Sequence, residues 1–261
     1  MSLNSHLKKY GIQHFETDEY WTWVTRKLKQ KRTMELSRLR EPLQSGVATD
    51  HERAAFYDYI ARQPVAGVVH SMKADAIRAS GSFAAHHLGG RREVLDIGCS
   101  LGYLTTWFAQ LQGVERVVGL DASARTIREA QKFSQQSDIS SCEFIHGKFE
   151  NWSNEQCFDA IVSCQMLYNS EDLNRTLGAV RERLKPEGIL ISIEAAPTAE
   201  GGRAYLEALS DAELCVVQFD WVMYNDLGRL GAYLGFVVAR EGQPAALNIE
   251  AEYKNILRKL R

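Results

Sequence analysis

Two acids and a glycine-bearing turn give this chain its chemical character. The short apolar run Val94-Leu95-Asp96-Ile97 leads into Gly98-Cys99-Ser100-Leu101-Gly102, which opens straight into an amphipathic segment at Tyr103. Strand, tight loop and helix in that order let backbone approach a nucleotide-like ligand closely. Asp121 ends the next apolar run, about 20 residues on, the separation at which a strand-end acid takes ribose hydroxyls. A carboxylate that accepts from two adjacent hydroxyls reads a ribose diol. The loop reads D-x-G-x-S-x-G, whereas a dinucleotide site wants G-x-G-x-x-G. A carboxylate at Asp96 would repel a pyrophosphate but suit a ligand carrying an ammonium and a sulfonium. That favours S-adenosylmethionine over NAD.

The elements that must carry these residues form a regular series. Strands are expected at 94–97, 116–121, 142–146, 158–164 and 188–194, with helices at 103–111, 123–137 and 171–184 between them. Such alternation implies a parallel sheet covered on both faces, with right-handed crossovers. Beyond residue 194 the pattern loosens. Helices are expected at 204–214, 225–234 and 251–261, and a strand at 236–239 after Gly235. The long connection 195–225 has room for a lid.

Residues 1–90 read differently. A basic helical pattern covers 20–43, with Pro42 and Gly46 at its end. Thr49-Asp50 offers a cap for a second helix closed by Gln63-Pro64, and a third spans 66–87 before Gly89-Gly90. His70, His86 and His87 fall in that third stretch without acid or cysteine partners at ligand spacing, so no metal site is expected. The chain of 261 residues has 45% hydrophobic and 25% charged residues, enough for a core of ordinary size. A formal charge of −2 provides no global attraction to nucleic acid or to an acidic membrane. Five cysteines without a CxxC pair, no signal-like start and no membrane-length apolar run lead us to expect a reduced, cytoplasmic protein.

Five segments, in order, carry a resemblance. Residues 95–102 look like the first motif of the class I S-adenosylmethionine-dependent methyltransferases, and 118–123 (Val-Gly-Leu-Asp-Ala-Ser) like the second. Residues 144–150 resemble the third, 158–163 with Met166-Leu167-Tyr168-Asn169 the fourth, and 184–190 the turn before the fifth strand. The resemblance implies an α/β, Rossmann-like, doubly wound, mostly parallel seven-stranded sheet over 91–261. It leaves 1–90 as a helical extension, a substrate lid or docking region. Carried across, it implies that Gly98, Cys99, Ser100 and Gly102 lie under the methionine and ribose portions. Asp96 would hold the amino group, Asp121 the ribose diol with Ala122 beside it, Lys148 and Phe149 the adenine, and Gln165 the methionine end. Tyr168, Asn169 and Glu194 are the candidate catalytic residues, Glu194 as a base unless it is a solvated strand-end acid. Two positions depart from the pattern: Ser100 stands where a glycine is usual, and Lys148 where an aspartate is, although lysine has no acceptor.

The expected activity is methyl transfer from S-adenosylmethionine to a small or medium-sized acceptor through an O-, N- or C-nucleophile. It would proceed by direct SN2 displacement, with proximity and orientation dominant. The alternatives are tRNA or protein methylation docked on the basic helix, and a non-catalytic partner that binds S-adenosylmethionine. A homodimer contact through the extension is equally compatible with the sequence.

Overall fold

A computed structural model describes residues 2–45, 49–153, 155–196 and 198–260. The helical extension comprises α1 (Leu3–Lys9), α2 (Thr17–Lys27), α3 (Gln30–Gln44), α4 (Asp50–Ile60), α5 (Val65–Ser71) and α6 (Ala74–His87). It is followed by β1 (Glu93–Ile97), α7 (Tyr103–Phe108), β2 (Arg116–Asp121), α8 (Ala124–Gln136), β3 (Cys142–His146) and β4 (Phe158–Cys164). The chain then forms α9 (Leu173–Arg183), β5 (Leu184–Glu194), α10 (Ala199–Asp211), β6 (Cys215–Asp226), β7 (Arg229–Ala239) and α11 (Ile249–Lys259). The seven strands make one sheet in the order β3-β2-β1-β4-β5-β7-β6. β1 to β5 pair in parallel; β7 runs antiparallel to both β5 and β6. Strand order reverses beside β1, where β1 lies between β2 and β4, and ligands of open α/β sheets bind at that switch point.

The strands form because near-continuous apolar runs must be covered on both faces. Leu95, Ile97, Val118, Leu120, Ile161 and Leu190 face one layer with Leu177, Tyr205 and Tyr253 of α9, α10 and α11. Val94, Val117, Ala160, Val162 and Ile191 face the other, with Leu3, Leu7, Ala84, Leu104 and Phe108 of α1, α6 and α7. The extension is therefore joined to the sheet through its first and last helices. Tyr20, Leu28, Ile60, Val65 and Val68 form a smaller core of its own.

Several sequence expectations need correction. The 20–43 stretch is two helices, because Leu28 turns extended (φ −106°, ψ 120°) to bury its side chain in the small core. The 66–87 stretch is also two. Its second helix starts where Asp226 Oδ1 accepts from the Asp75 and Ala76 amides, both at 3.1 Å. The helix expected at 225–234 is instead a hairpin between β6 and β7, turned at Leu227 (φ 51°) and Gly228 (φ 78°). The connection 195–225 holds α10 and most of β6 rather than a lid. The Thr49 cap forms as a full capping box with Glu52; Gly46 lies outside the described residues.

Candidate functional site

The loop after β1 depends on backbone that few residues adopt. Gly98 and Gly102 sit at φ 73° and 71°, and Ser100 at φ 50° in the same left-handed region. A side chain at Gly102 would lie 2.6 Å from Phe144 Cε1, so the loop is pressed against β3 and α8. The amides of Gly98 and Cys99 donate to Leu120 O at 2.8 and 3.1 Å, which fastens the loop to the end of β2.

Asp121 knits the two loops together. Its Oδ2 accepts from the Ser100 amide at 2.9 Å, and its Oδ1 from the Ser123 amide at 2.8 Å and Thr126 Oγ1 at 3.0 Å. Asp96 is buried, 3% exposed, and its Oδ2 accepts from Thr105 Oγ1 at 2.6 Å. Burial first, and then the like charge of Asp121, push its carboxyl up to about 7, against the lowering effect of the Thr105 bond. No cation enters that balance. The two strand-end acids therefore fit a ligand that brings positive charge, and the left-handed loop leaves its backbone open to close approach. S-adenosylmethionine meets both requirements. Asp96 would face its charged end and Asp121 its ribose.

The other expected residues divide. The Cys99 side chain is buried with Ile127, Ala130 and Phe144, so only its backbone borders the loop. Ala122 O accepts from His146 Nε2 at 3.2 Å. Lys148 is half exposed with Nζ 3.7 Å from Glu171 Oε2, and the Phe149 ring is buried in the core beneath the Arg183 guanidinium. Gln165, at φ 64°, donates through both N and Nε2 to Ile193 O at 2.8 and 3.0 Å.

Tyr168 turns its hydroxyl toward the start of α10, where a side chain at Gly201 would lie 2.6 Å from it. The Asn169 side chain lies outside the described residues. Glu194 is not a solvated strand-end acid. It is fully buried, and accepts from Ser163 Oγ at 2.6 Å, Ser192 Oγ at 3.4 Å, and the Leu167 and Tyr168 amides at 3.3 Å. Burial nevertheless pushes its carboxyl up to about 7. Glu194 positions the 165–168 segment beside the loop.

The extension reaches the same loops. Tyr10 donates to Gly102 O at 3.1 Å, and His6 Nε2 lies 2.9 Å from Tyr103 O, so α1 grips the start of α7. Ala61 and Ala66 pack on Leu101 and Tyr103. Ser123 donates to Asp58 Oδ1 at 2.7 Å, and burial, with a smaller contribution from the Asp121 charge, raises the Tyr57 phenol. Thr105, Tyr103, Asp58 and Ser123 were not expected from sequence. The adjacency of Tyr103 and Thr105 to the glycine turn was the signal that could have found two of them. Among the described residues no group of three or more His, Cys, Asp or Glu could hold a metal ion. No helix among them is long and apolar enough to cross a membrane.

A family model described as a methyltransferase domain matches residues 90–227 of the 261. The chain is similar to the mitochondrial ubiquinone biosynthesis O-methyltransferase of Dictyostelium discoideum, 28% identical over 130 residues, covering 46% of this chain and 39% of that protein. It is also similar to a probable protein arginine N-methyltransferase 6.2 of Oryza sativa subsp. indica, 30% identical over 154 residues, covering 55% of this chain and 37% of that one. The chain thus spans well under half the length of these curated relatives. Among solved structures, geranyl diphosphate C-methyltransferase from Streptomyces coelicolor A3(2), determined with S-adenosyl-L-homocysteine, superposes with a TM-score of 0.52 at 16% identity, covering 62% of this chain and 79% of that one. At that identity the likeness speaks for the fold. The loop, the strand order and the matched domain agree: this chain belongs to the class I S-adenosylmethionine-dependent methyltransferase family.

Proposed function

We propose that the protein transfers a methyl group from S-adenosylmethionine to a small or medium-sized acceptor. The observation that carries this reading is the cover over the loops. Ala61 and Ala66 lie with Leu101, and Asp58 accepts from Ser123, so α4 and α5 sit over the loops that follow β1 and β2, a cover we read as a lid. A roofed cleft admits a small acceptor more readily than a folded macromolecule. The name of the Dictyostelium relative, an O-methyltransferase of ubiquinone biosynthesis, supports the same class.

When bound, the cofactor supplies an activated methyl on a sulfonium leaving group. The chain's own residues then bind, align and dry the site. Asp96 and Asp121 hold the charged and ribose ends, and the loop 98–102 sets their separation. Glu194 fixes the 165–168 segment alongside through the Leu167 and Tyr168 amides. The lid excludes water, so a single SN2 displacement governed by proximity and orientation is sufficient.

A second reading has an observation of its own. Among the described side chains α3 contributes none that is fully buried, Met34 is 65% and Trp21 56% exposed, and basic residues line α2 and α3, which would suit docking of tRNA or of a protein. One experiment separates the two. Methyl-labelled S-adenosylmethionine is incubated with the protein and an extract divided into metabolites, RNA and protein. Label confined to the metabolite fraction supports the small acceptor; label in RNA or protein overturns it.

A further inference from the structure

α4 presents two faces, and contacts define both. Phe56, Tyr59 and Ile60 turn into the small core of the extension. Asp58 and Ala61 turn the other way, Asp58 accepting from Ser123 Oγ at 2.7 Å and Ala61 packing with Leu101. Tyr57 lies with them. The Ala61 amide donates to Tyr57 O at 3.1 Å, so the two residues are one helical turn apart and share a face. That face covers the loop after β1 at Leu101 and the loop after β2 at Ser123. Asp121 stands between the same two loops, accepting from the Ser100 amide at 2.9 Å and from the Ser123 amide at 2.8 Å. Tyr57 packs into none of the hydrophobic clusters of the described residues and is 49% exposed, with the Phe56 ring at 5.5 Å on its flank. Its phenol is nevertheless raised, first by the protein around it and then by the Asp121 charge, with Arg53 opposing. The ring therefore stands in a recess on the Asp121 side of α4 rather than on an open surface. Nucleic-acid bases stack on aromatic side chains through their flat faces. Lys148, the residue expected at the adenine, lies 3.7 Å from Glu171 Oε2 and gives a base no side-chain acceptor; a ring face is a contact that replaces it.

We propose that Tyr57 is a cofactor-binding residue supplied by the lid, its ring lying against the adenosine half of S-adenosylmethionine. This rests on the methyl-transfer reading above and extends its cofactor site into the helical extension. Two elements then hold the nucleoside: the end of β2 through the Asp121 carboxylate, and α4 through the Tyr57 ring. Asp58 is the positioning residue of the pair, because its bond to Ser123 sets where α4 lies over the loops. The cofactor supplies the apolar cover that the protein's own core does not give this ring.

The test uses the whole protein with S-adenosylhomocysteine as the probe. Tyr57 is half exposed, so Y57A should fold and unfold cooperatively like the wild type. Calorimetry should show S-adenosylhomocysteine binding weakened about 5–150-fold in Y57A, the range that one aromatic–base stack supplies. Y57F and Y57W keep a ring face and should bind within about threefold of wild type. Y57L keeps apolar bulk without a ring and should lose as much as Y57A. In the saturated wild-type complex, nuclear Overhauser contacts should join the adenine ring protons or the ribose anomeric proton to the Tyr57 ring, assigned against Y57F. Undiminished affinity in Y57A, Y57L binding as tightly as Y57F, or a saturated complex without those contacts overturns the role of Tyr57 and leaves the methyl-transfer reading standing. A wild-type protein that binds no S-adenosylhomocysteine overturns that reading, and this proposal with it.

Discussion

Replacing Asp96 by asparagine removes a buried charge while keeping its shape, and it should act in opposite directions on stability and on binding. The carboxyl is held at about 7 in the folded chain, against 3.8 for an ordinary aspartate, chiefly by burial and secondarily by Asp121. Between those values the folded chain keeps a proton that the unfolded chain has released. The unfolded state then binds fewer protons, so this group makes stability fall as pH rises from about 4 to about 7, and the loss is complete above that. At about 1.4 kcal/mol per pH unit, the span from 3.8 to about 7 is worth about 4 kcal/mol at most. An asparagine carbonyl can still accept from Thr105 Oγ1 but cannot ionise. D96N should therefore be more stable than wild type by about 2–4 kcal/mol near pH 8, and within about 1 kcal/mol of it near pH 4. The assay is urea unfolding across that range, plotted as the difference between variant and wild type. Glu194 titrates in the same window and cancels in the subtraction. If Asp96 takes the cationic end as proposed, the same variant should bind S-adenosylhomocysteine about tenfold or more weakly. A flat difference plot, or a variant less stable near pH 8, would refute the placement of Asp96 as a buried acid held against its own charge.

The other expectations concern the loop, its support and its cover. Ser100→Gly should change the unfolding free energy by no more than about 1 kcal/mol and leave cofactor affinity unchanged, because φ 50° suits glycine better than serine; a larger loss in either would mean that the hydroxyl itself is used. Glu194→Ala should cost about 2–4 kcal/mol in urea unfolding, since it strips the acceptor from Ser163 Oγ, from the buried Leu167 amide and from the partly buried Tyr168 amide; a near-neutral result would contradict its role as the anchor of residues 165–168. Asp58→Ala frees Ser123 and loosens the lid. Stopped-flow displacement should then show faster release of S-adenosylhomocysteine at little change in melting temperature, and an unchanged release rate would argue against a lid.

How much of this was legible in the sequence depends on whether the signal was local. β1 to β5 were read because apolar runs buried on both faces, such as Ala160-Ile161-Val162, leave no other assignment. The glycine turn and its two acids were read because their chemistry is set by spacing along the chain. The hairpin was misread because Leu227, Leu230 and Leu234 recur at helical intervals, whereas Leu227 turns the chain at positive φ beside Gly228, without the usual Asn-Gly signature. The alternation from Val216 to Tyr224 was the better guide there. Glu194 looked like a solvated strand end because most of its partners come from two other segments, at residues 163 and 167–168, with only Ser192 from its own strand.

The most direct measurement of the central claim is a calorimetric titration of S-adenosylhomocysteine into the purified protein and into Asp121→Ala. Asp121 joins Ser100 of the first loop to Ser123 and Thr126 of the second, and it is the acid we propose for the ribose. The assignment predicts saturable one-to-one binding by the wild type, lost in a variant that still unfolds cooperatively. Absence of binding by the wild type, or undiminished affinity in the folded variant, would contradict it.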